Sequence, residues 1–358
     1  MLSATIDTIT PPALVVADPS RLDFTLFVKA VGRGQKLRRD LTAAEARTAM
    51  RLILRREATP AQMGGFLIGQ RVKGEAEVEI RGFTQVVRDE FLHRTSPRVA
   101  DLLDLGLPYD GKVKTAQLAP AVAIVLATVG VPVVLHGDEG VPTKQGVTPG
   151  AVLKALSVPV DLEPAVACRM IESIGLGYLS AERYAPAWHA LIPLRCELGL
   201  RTALNTIEKL FNPADAPYQI SGFFHGEYLE RLRLTQTGTR ASWIVQGEEG
   251  SIEMAAGRAT HVFAANAVND VVLDPISLGL PVRERLTPPF AVEAHARLNA
   301  EALNGEPGSA TDQVALTAGT ILKLLGAAAS VVAGVARVRQ AIESHAPQHL
   351  LMRARNFR

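Results

Sequence analysis

Cysteine is scarce in this chain. Cys168 and Cys196 stand far apart with no second CxxC partner, which excludes a disulfide frame and a cysteine zinc site and leaves two reduced, mostly buried thiols. Aromatic residues make up 5% of the sequence, few for a platform on which single-stranded bases stack. Neither charge sign dominates: 38 Lys and Arg face 36 Asp and Glu, a net +2. The total therefore announces no acidic partner, and any basic surface has to come from uneven distribution. The longest apolar run, GAAASVVAGVA at 326–336, is shorter than the ~20 residues that cross a bilayer. The first residues lack a basic n-region and carry a proline pair inside their apolar run, unlike a secretory signal. The expectation is a cytoplasmic protein without a membrane partner. No repeat period and no low-complexity segment is present.

What is there is enough apolar residue, 47% of 358, to bury two unequal cores. Residues 1–20, rich in Pro and Thr, read as an arm. Four helical patterns follow with no strand between them. Phe24, Phe27, Val28 and Val31 share one face. Thr42 and Glu45 form a capping-box pattern ahead of 43–57. Thr59-Pro60 starts a third helix that Gly74 closes, and 75–90 is a fourth, charged on one face. After Pro97 strands appear: 99–105, 131–135, 218–224, 241–246, 261–265 and 271–273. Helical patterns lie between and after them at 119–129, from Thr148-Pro149, and at 164–174, 185–198, 202–211, 291–304 and 312–344. The fold class is α/β, with a helical domain at 21–95 and a larger domain with a mostly parallel sheet at 96–182 and 201–358.

The most informative stretch runs from Leu105 to Gly150. It reads as strand, loop, buried helix, strand, loop and helix start, a βαβ crossover whose loops lie at the carboxyl ends of parallel strands, where ligands of open α/β sheets bind.

Several strings together carry a resemblance: LTAAEARTAMRLILRREATPAQMGGFLIGQRVKGE at 41–75, HGDEGVPTKQG at 136–146, LRCELGLRTALNTIEKLFNPADAPYQISGFF at 194–224 and VQGEEGSIE at 245–253. Over nearly its whole length the chain resembles the anthranilate phosphoribosyltransferases, of the nucleoside phosphorylase-like phosphoribosyltransferase fold. The resemblance implies that roughly 183–200 returns to the helical domain, that the site lies in the cleft between domains, and that the protein dimerises through the helical domain.

Transfer from phosphoribosyl pyrophosphate needs bare backbone around the pyrophosphate, hydroxyls and lysine against its charge, and carboxylates for magnesium. Here the chain departs from the family. Its GTGGD loop corresponds to Gly106, Leu107, Pro108, Tyr109 and Asp110, where side chains and a proline replace glycine. Ala119 and Pro120 stand at two helix-start hydroxyls. In the family string KHGNRSVSSKSG, Leu135 replaces the first lysine and Glu139 the arginine. Asp138 adds a second new carboxylate, whereas His136, Gly137, Thr143, Lys144 and Gly146 persist. The GLDE motif becomes Gly250, Ser251, Ile252 and Glu253, leaving Glu253 as a weak candidate metal ligand. Arg195 sits where the family's anthranilate-contacting arginine would be, although a lone helical arginine is more often solvated or salt-bridging. The resemblance thus implies a vestigial donor site of Gly106, Asp110, His136, Gly137, Lys144 and Arg195.

These departures are similar to those of the YbiB-type group of the family, which is associated with DNA and RNA binding as dimers. Arg337, Arg339, Arg353, Arg355 and Arg358 against Glu343 make the carboxyl-terminal region basic. Lys112, Lys114 and Lys144 flank the altered loops, Lys209 is a cleft candidate, and Arg231 and Arg233 are alternatives. Phosphate-backbone binding needs such a row and no catalytic geometry. His136, His189 and His225 read as structural histidines, with no nucleophile motif beside them. The leading expectation is a nucleic-acid-binding protein, with DNA or RNA as partner, no cofactor and a homodimeric state. The alternative is a phosphoribosyltransferase or other glycosyltransferase with altered donor or acceptor, requiring Mg2+. A protein-interaction scaffold is a third reading.

Overall fold

The computed structural model describes residues 23–223, 229, 232, 239–255, 257–265 and 270–358. The arm at 1–20, His225, Arg231 and Arg233 lie outside the described residues.

Four helices open the chain: α1 (Thr25–Gly32), α2 (Ala43–Leu54), α3 (Pro60–Lys73) and α4 (Glu77–Glu90). Local chemistry sets the ends of α2 and α3. Thr42 accepts from the Glu45 amide and the Glu45 carboxylate accepts from the Thr42 amide, a reciprocal capping box. Thr59 and Gln62 repeat that arrangement on α3, and Gly74 leaves the helix with φ of 81°. The apolar faces meet over Phe24, Phe66 and Phe83, whose rings touch edge to face.

The sheet has seven strands: β1 (Leu103–Gly106), β2 (Val133–Gly137), β3 (Leu176–Ser180), β4 (Tyr218–Gly222), β5 (Ala241–Val245), β6 (Thr260–Ala264) and β7 (Val271–Leu273), in the order β3-β2-β1-β4-β5-β6-β7. The first five are parallel, and β6 and β7 add an antiparallel edge. The helix α5 (Ala119–Thr128) between β1 and β2 is apolar and buried over eight consecutive residues, as a helix enclosed between a sheet and other helices requires. Packed around it are α6 (Pro149–Ala155), α12 (Val292–Asn304), α13 (Ser309–Leu324), α14 (Val331–Glu343) and α15 (Ala346–Arg355). Between α6 and α12 the chain forms α7 (Pro164–Ile174), α8 (Ala181–Tyr184), α9 (Pro186–His189), α10 (Ile192–Leu198) and α11 (Ala203–Ile207).

The small helical domain and the larger α/β domain with its mostly parallel sheet are the architecture expected. Several elements differ from expectation: the strand at 99–105 is shorter, Leu103–Gly106, and the helix at 185–198 is two, α9 and α10. LGYLS at 176–180 is strand β3, hidden from pattern reading because it runs straight into α8 and only Gly175 separates it from α7. The long helix expected at 312–344 is two helices, broken where Gly326 takes φ of 73°. A further helix, α15, begins at Ala346 with Pro347 in its tolerated first turn.

One apolar core lies around α5 and the sheet. The other joins α1–α4 to Trp188, Leu191, Leu194, Leu204 and Phe211.

Candidate functional site

Connections from β1 and β4 run to opposite sides of the sheet, so the crevice between their carboxyl ends is the topological switch point. At the end of β1, Gly106 is so close to the carbonyl of Lys209 and to Ser221 that a Cβ there would overlap both. The next residues do not form an open loop. Leu107 and Tyr109 are buried, and the Tyr109 hydroxyl is hydrogen-bonded to His136 Nδ1 at 2.5 Å and to the Tyr184 hydroxyl. His136 Nε2 lies 3.2 Å from Asp104 Oδ1. A proton on Nε2 facing Asp104, with Nδ1 accepting from Tyr109, satisfies both contacts. Burial holds the Tyr109 and Tyr184 hydroxyls far above their ordinary pKa, so both stay protonated donors. His136 is thus a satisfied core histidine, as expected.

The amino terminus of α5 points its free N–H groups into this region, a natural seat for a ligand anion. The chain's own Glu253 takes that seat. It accepts from the amides of Leu118 and Ala119 at 3.0 and 3.1 Å, and Lys112 Nζ lies 2.8 Å from the same oxygen. Lys112 and Glu253 are both fully buried, and Lys112 also donates to the Ala116 carbonyl. Two expectations are corrected here. Lys112 is no phosphate-binding surface residue, because its ammonium is consumed by an interior carboxylate. Glu253 alone does not make a metal seat: its Oε1 faces a lysine and two amides, its buried Oε2 has no partner, and its chain neighbour is the apolar Ile252. Among the described residues no cluster of three metal-ligating side chains exists.

A second internal anion lies nearby. Arg195, on α10, is 3% exposed and donates from Nη1 to Glu208 Oε2 at 2.8 Å. Burial raises the Glu208 pKa, against the opposing pull of Arg195. Nη2 of Arg195 has no partner among the described residues. Lys209 follows Glu208 in a single 3-10 turn, donates to the Gly222 carbonyl at 2.7 Å and sits 4.2 Å from the Phe223 ring centroid. It is 7% exposed, so the expected cleft-facing phosphate contact is instead an interior amine.

Asp138 and His189 form a pair at 2.9 Å, with the carboxylate buried and the imidazole half-exposed. Burial pushes Asp138 up, partly offset by His189. Glu139, also raised by burial, hydrogen-bonds the Thr148 hydroxyl. Both carboxylates are thus engaged by the chain's own side chains, His189 and Thr148.

Outside these internal pairs a cavity of about 1300 Å³ opens at the carboxyl ends of β1, β2 and β5. Its walls include six cations, Lys114, Lys144, Arg201, Arg258, Arg283 and Arg285, against three acids, Glu248, Glu249 and Glu284. Asp110, at the back, is held by Arg201 at 2.5 Å and lies 3.9 Å from Lys144. Glu249 accepts from the amides of Lys114 and Thr115 at 2.8 Å each, which fixes the loop that presents Lys114. Burial works against ionisation of Glu249, but those amides and Lys144 outweigh it and bring its pKa to about 2. Burial lowers the Lys144 pKa. Of the cations proposed from sequence, the cleft thus collects Lys114 and Lys144. Arg201, Arg258, Arg283 and Arg285 were missed: Arg201 hides in the scaffold string LGLRT, and the others stand in segments without periodicity.

The carboxyl-terminal arginines lie elsewhere. Arg337 donates to Val129 O, Arg353 to Ser173 O and Arg355 to Leu156 O, while Arg339 pairs with Asp312 at 2.5 Å. Val129 and Ser173 precede β2 and β3, so Arg337 and Arg353 stand at the amino end of the sheet, away from the cleft. Arg337, Arg353 and Arg355 nevertheless remain exposed.

Comparison with known proteins agrees with this architecture. The model of the glycosyl transferase family helical bundle domain matches residues 27–90, and that of the family's a/b domain matches residues 110–346. Anthranilate phosphoribosyltransferase of Rhodospirillum rubrum is 35% identical over 88% of this chain and 91% of its own. That of Anaeromyxobacter dehalogenans is 36% identical over 87% and 93%. The crystal structure of the Thermus thermophilus enzyme superposes with a TM-score of 0.81 at 28% identity, covering 93% of this chain and 98% of that one. The Saccharomyces cerevisiae enzyme in complex with PRPP and Mg shares the fold at a TM-score of 0.79 and 17% identity, over 92% and 96%.

Proposed function

The chain belongs to the glycosyl transferase family that includes the anthranilate phosphoribosyltransferases, and from that premise we propose a transferase with altered donor and acceptor. The donor is an anionic sugar phosphate held in the basic cleft, and the acceptor carries no carboxylate. One observation carries this reading: the chain's own Glu253 takes the anion seat on the α5 amino terminus and Glu208 engages Nη1 of Arg195, while Lys114, Lys144 and Arg201 line an open cavity beside them. A ligand carboxylate would have to displace a buried, hydrogen-bonded one, which is costly. A phosphate entering the cleft meets the exposed Lys114 and Arg201, which pairs with Asp110 yet stays 38% exposed, so no fully buried ion has to be expelled. Magnesium has no suitable seat at Glu253, so no step is routed through it.

A thermal-shift series tests this reading, because a ligand that binds only the native state raises the melting temperature. Millimolar ribose 5-phosphate or phosphoribosyl pyrophosphate is expected to raise it without magnesium, and anthranilate is not. No shift with any sugar phosphate would sink the proposal.

A second reading, nucleic-acid binding through phosphates, is favoured by the exposed Arg337, Arg353 and Arg355. With Lys112 and Lys209 interior, it rests on fewer cations than the sequence offers. It calls for affinity with little sequence preference that falls steeply with salt, read by mobility shift on DNA and RNA. A homodimer through the helical domain is likewise proposed, supported by the exposed Leu26, Leu37 and Val72, and is tested by light scattering.

A further inference from the structure

The cavity holds two groups of cations, and the sugar-phosphate reading uses only one. Lys114, Lys144 and Arg201 form the first. Arg258, Arg283 and Arg285 line the same cavity from the segment ahead of β6 and from the segment between β7 and α12. The turn Glu248–Gly250 divides the two groups. Its Glu249 accepts from the amides of Lys114 and Thr115 and lies 3.6 Å from Lys144. Glu248, one residue before, lies instead 2.9 Å from Arg285 and 3.7 Å from Arg258. Adjacent residues of one turn thus anchor the two groups on its two sides.

The second group has a built frame. A Cβ at Gly257 would lie 2.6 Å from the Arg283 carbonyl, so a glycine lets the two arginine-bearing segments run backbone to backbone. The Leu286 carbonyl accepts from the Ala116 amide at 3.1 Å, which ties the 283–286 segment to the loop that presents Lys114. Two buried carboxylates aim the guanidiniums, and each is shared between two of them: Glu248 by Arg258 and Arg285, Asp312 by Arg283 at 2.6 Å and Arg339 at 2.5 Å. Arg283 and Arg285 pair through Nε, and none of their Nη groups donates a hydrogen bond to a described residue. Glu284 is the remaining acid of the lining, so four guanidiniums face three carboxylates on this side.

We propose that Arg283 and Arg285, with Arg258, form a second phosphate subsite, and that the cavity takes a small sugar with a phosphate at each end, one on each group of cations. The inference rests on the sugar-phosphate reading above and deepens it. Planar guanidinium donors match phosphate oxygens in pairs. The arginines of the three ion pairs a phosphate would loosen are half-exposed, and ion pairs of that kind are weak. Ligand pockets span roughly 300–1,000 Å³, so a cavity of about 1300 Å³ has room for both ends of such a ligand at once. Once the first phosphate is seated, the second contact is intramolecular, and affinity rises without any change in either subsite.

Isothermal titration of the full-length protein with ribose 5-phosphate and with ribulose 1,5-bisphosphate tests the proposal. The bisphosphate is expected to bind at least tenfold more tightly than the monophosphate. The R283Q/R285Q variant, checked for folding by circular dichroism, is expected to lose that gain; R285Q alone is read the same way where the double variant does not fold. The R55Q/R81Q variant removes the same charge from the helical domain and is expected to keep the gain. Equal affinity of the two ligands for the wild type, a gain that survives in R283Q/R285Q, or a gain that R55Q/R81Q loses as well would overturn the subsite. If ribose 5-phosphate binds and the bisphosphate binds no tighter, the second subsite fails alone. If neither ligand binds, the sugar-phosphate reading fails with it.

Discussion

Glu208 Oε2 lies 2.8 Å from Arg195 Nη1, and both side chains are buried between α10 and the turn that follows α11. The pair is an ion-pair lock inside the site. Breaking such a pair from one side leaves an uncompensated buried charge, at a cost of about 3–5 kcal/mol. Removing both charges costs far less, because desolvation of each ion is also removed.

Glu208→Gln is therefore expected to destabilise the protein by about 3 kcal/mol, and Arg195→Met by a similar amount. The double variant R195M/E208L should recover most of the loss. Urea unfolding of the four proteins measures the coupling. Additive losses would show that the pair does not act as a unit.

Gly106→Ala puts a methyl group against the Lys209 carbonyl and Ser221 Oγ, and the carbonyl, as backbone, cannot rotate away. A loss of about 1–3 kcal/mol is expected from the strain of overpacking. Gly140→Ala is the informative control for space, since nothing lies near a Cβ there, although its φ of 68° adds its own strain. Thermal denaturation compares the two.

Glu249 has a folded pKa of about 2, below its ordinary 4.5. A depressed carboxylate contributes stability that is present above the unfolded value and is lost as pH falls through the folded one. Wild type should thus lose its advantage over Glu249→Gln progressively from about pH 4.5 to about pH 2. Melting temperatures of both proteins across that range provide the check. A difference independent of pH would show that the carboxylate's charge is not what holds the 113–115 loop.

For Lys209 the pH dependence has the same sign, in a higher window. Its folded pKa, about 7, lies below the unfolded value, so the unfolded chain binds the extra proton between about pH 7 and pH 10. Stability relative to Lys209→Met should rise with pH through that window and stay level below it. Equal pH profiles of the two proteins would contradict an uncharged interior amine.

Much of the fold was legible in local chemistry. Thr42 with Glu45, Thr59-Pro60 and Gly74 marked helix ends because caps act over three or four residues. The crossover from β1 through α5 to β2 was legible because its strand and helix are buried on all sides and read as apolar blocks. Strand β3 was not, since its five residues run straight into α8 and only Gly175 separates them from α7. The site was half legible. The loss of glycine at Leu107, Pro108 and Tyr109 was visible as residue type. That Glu253 caps α5 from 134 residues away was not, because such a contact depends on which strand ends the fold brings together. Lys112 and Lys209 looked like surface cations for the same reason. Sequence supplies a charge, and only tertiary packing decides whether an interior carboxylate or water receives it.

The central claim is that the chain's own carboxylates occupy the two internal anion seats while the cleft cations receive a sugar phosphate. Isothermal titration of ribose 5-phosphate into the wild type and the R201Q/K144Q variant, each with and without magnesium, tests it most directly. Saturable binding that is independent of magnesium and at least tenfold weaker in the variant is the predicted result. Binding that requires magnesium and is unchanged in the variant would contradict the claim.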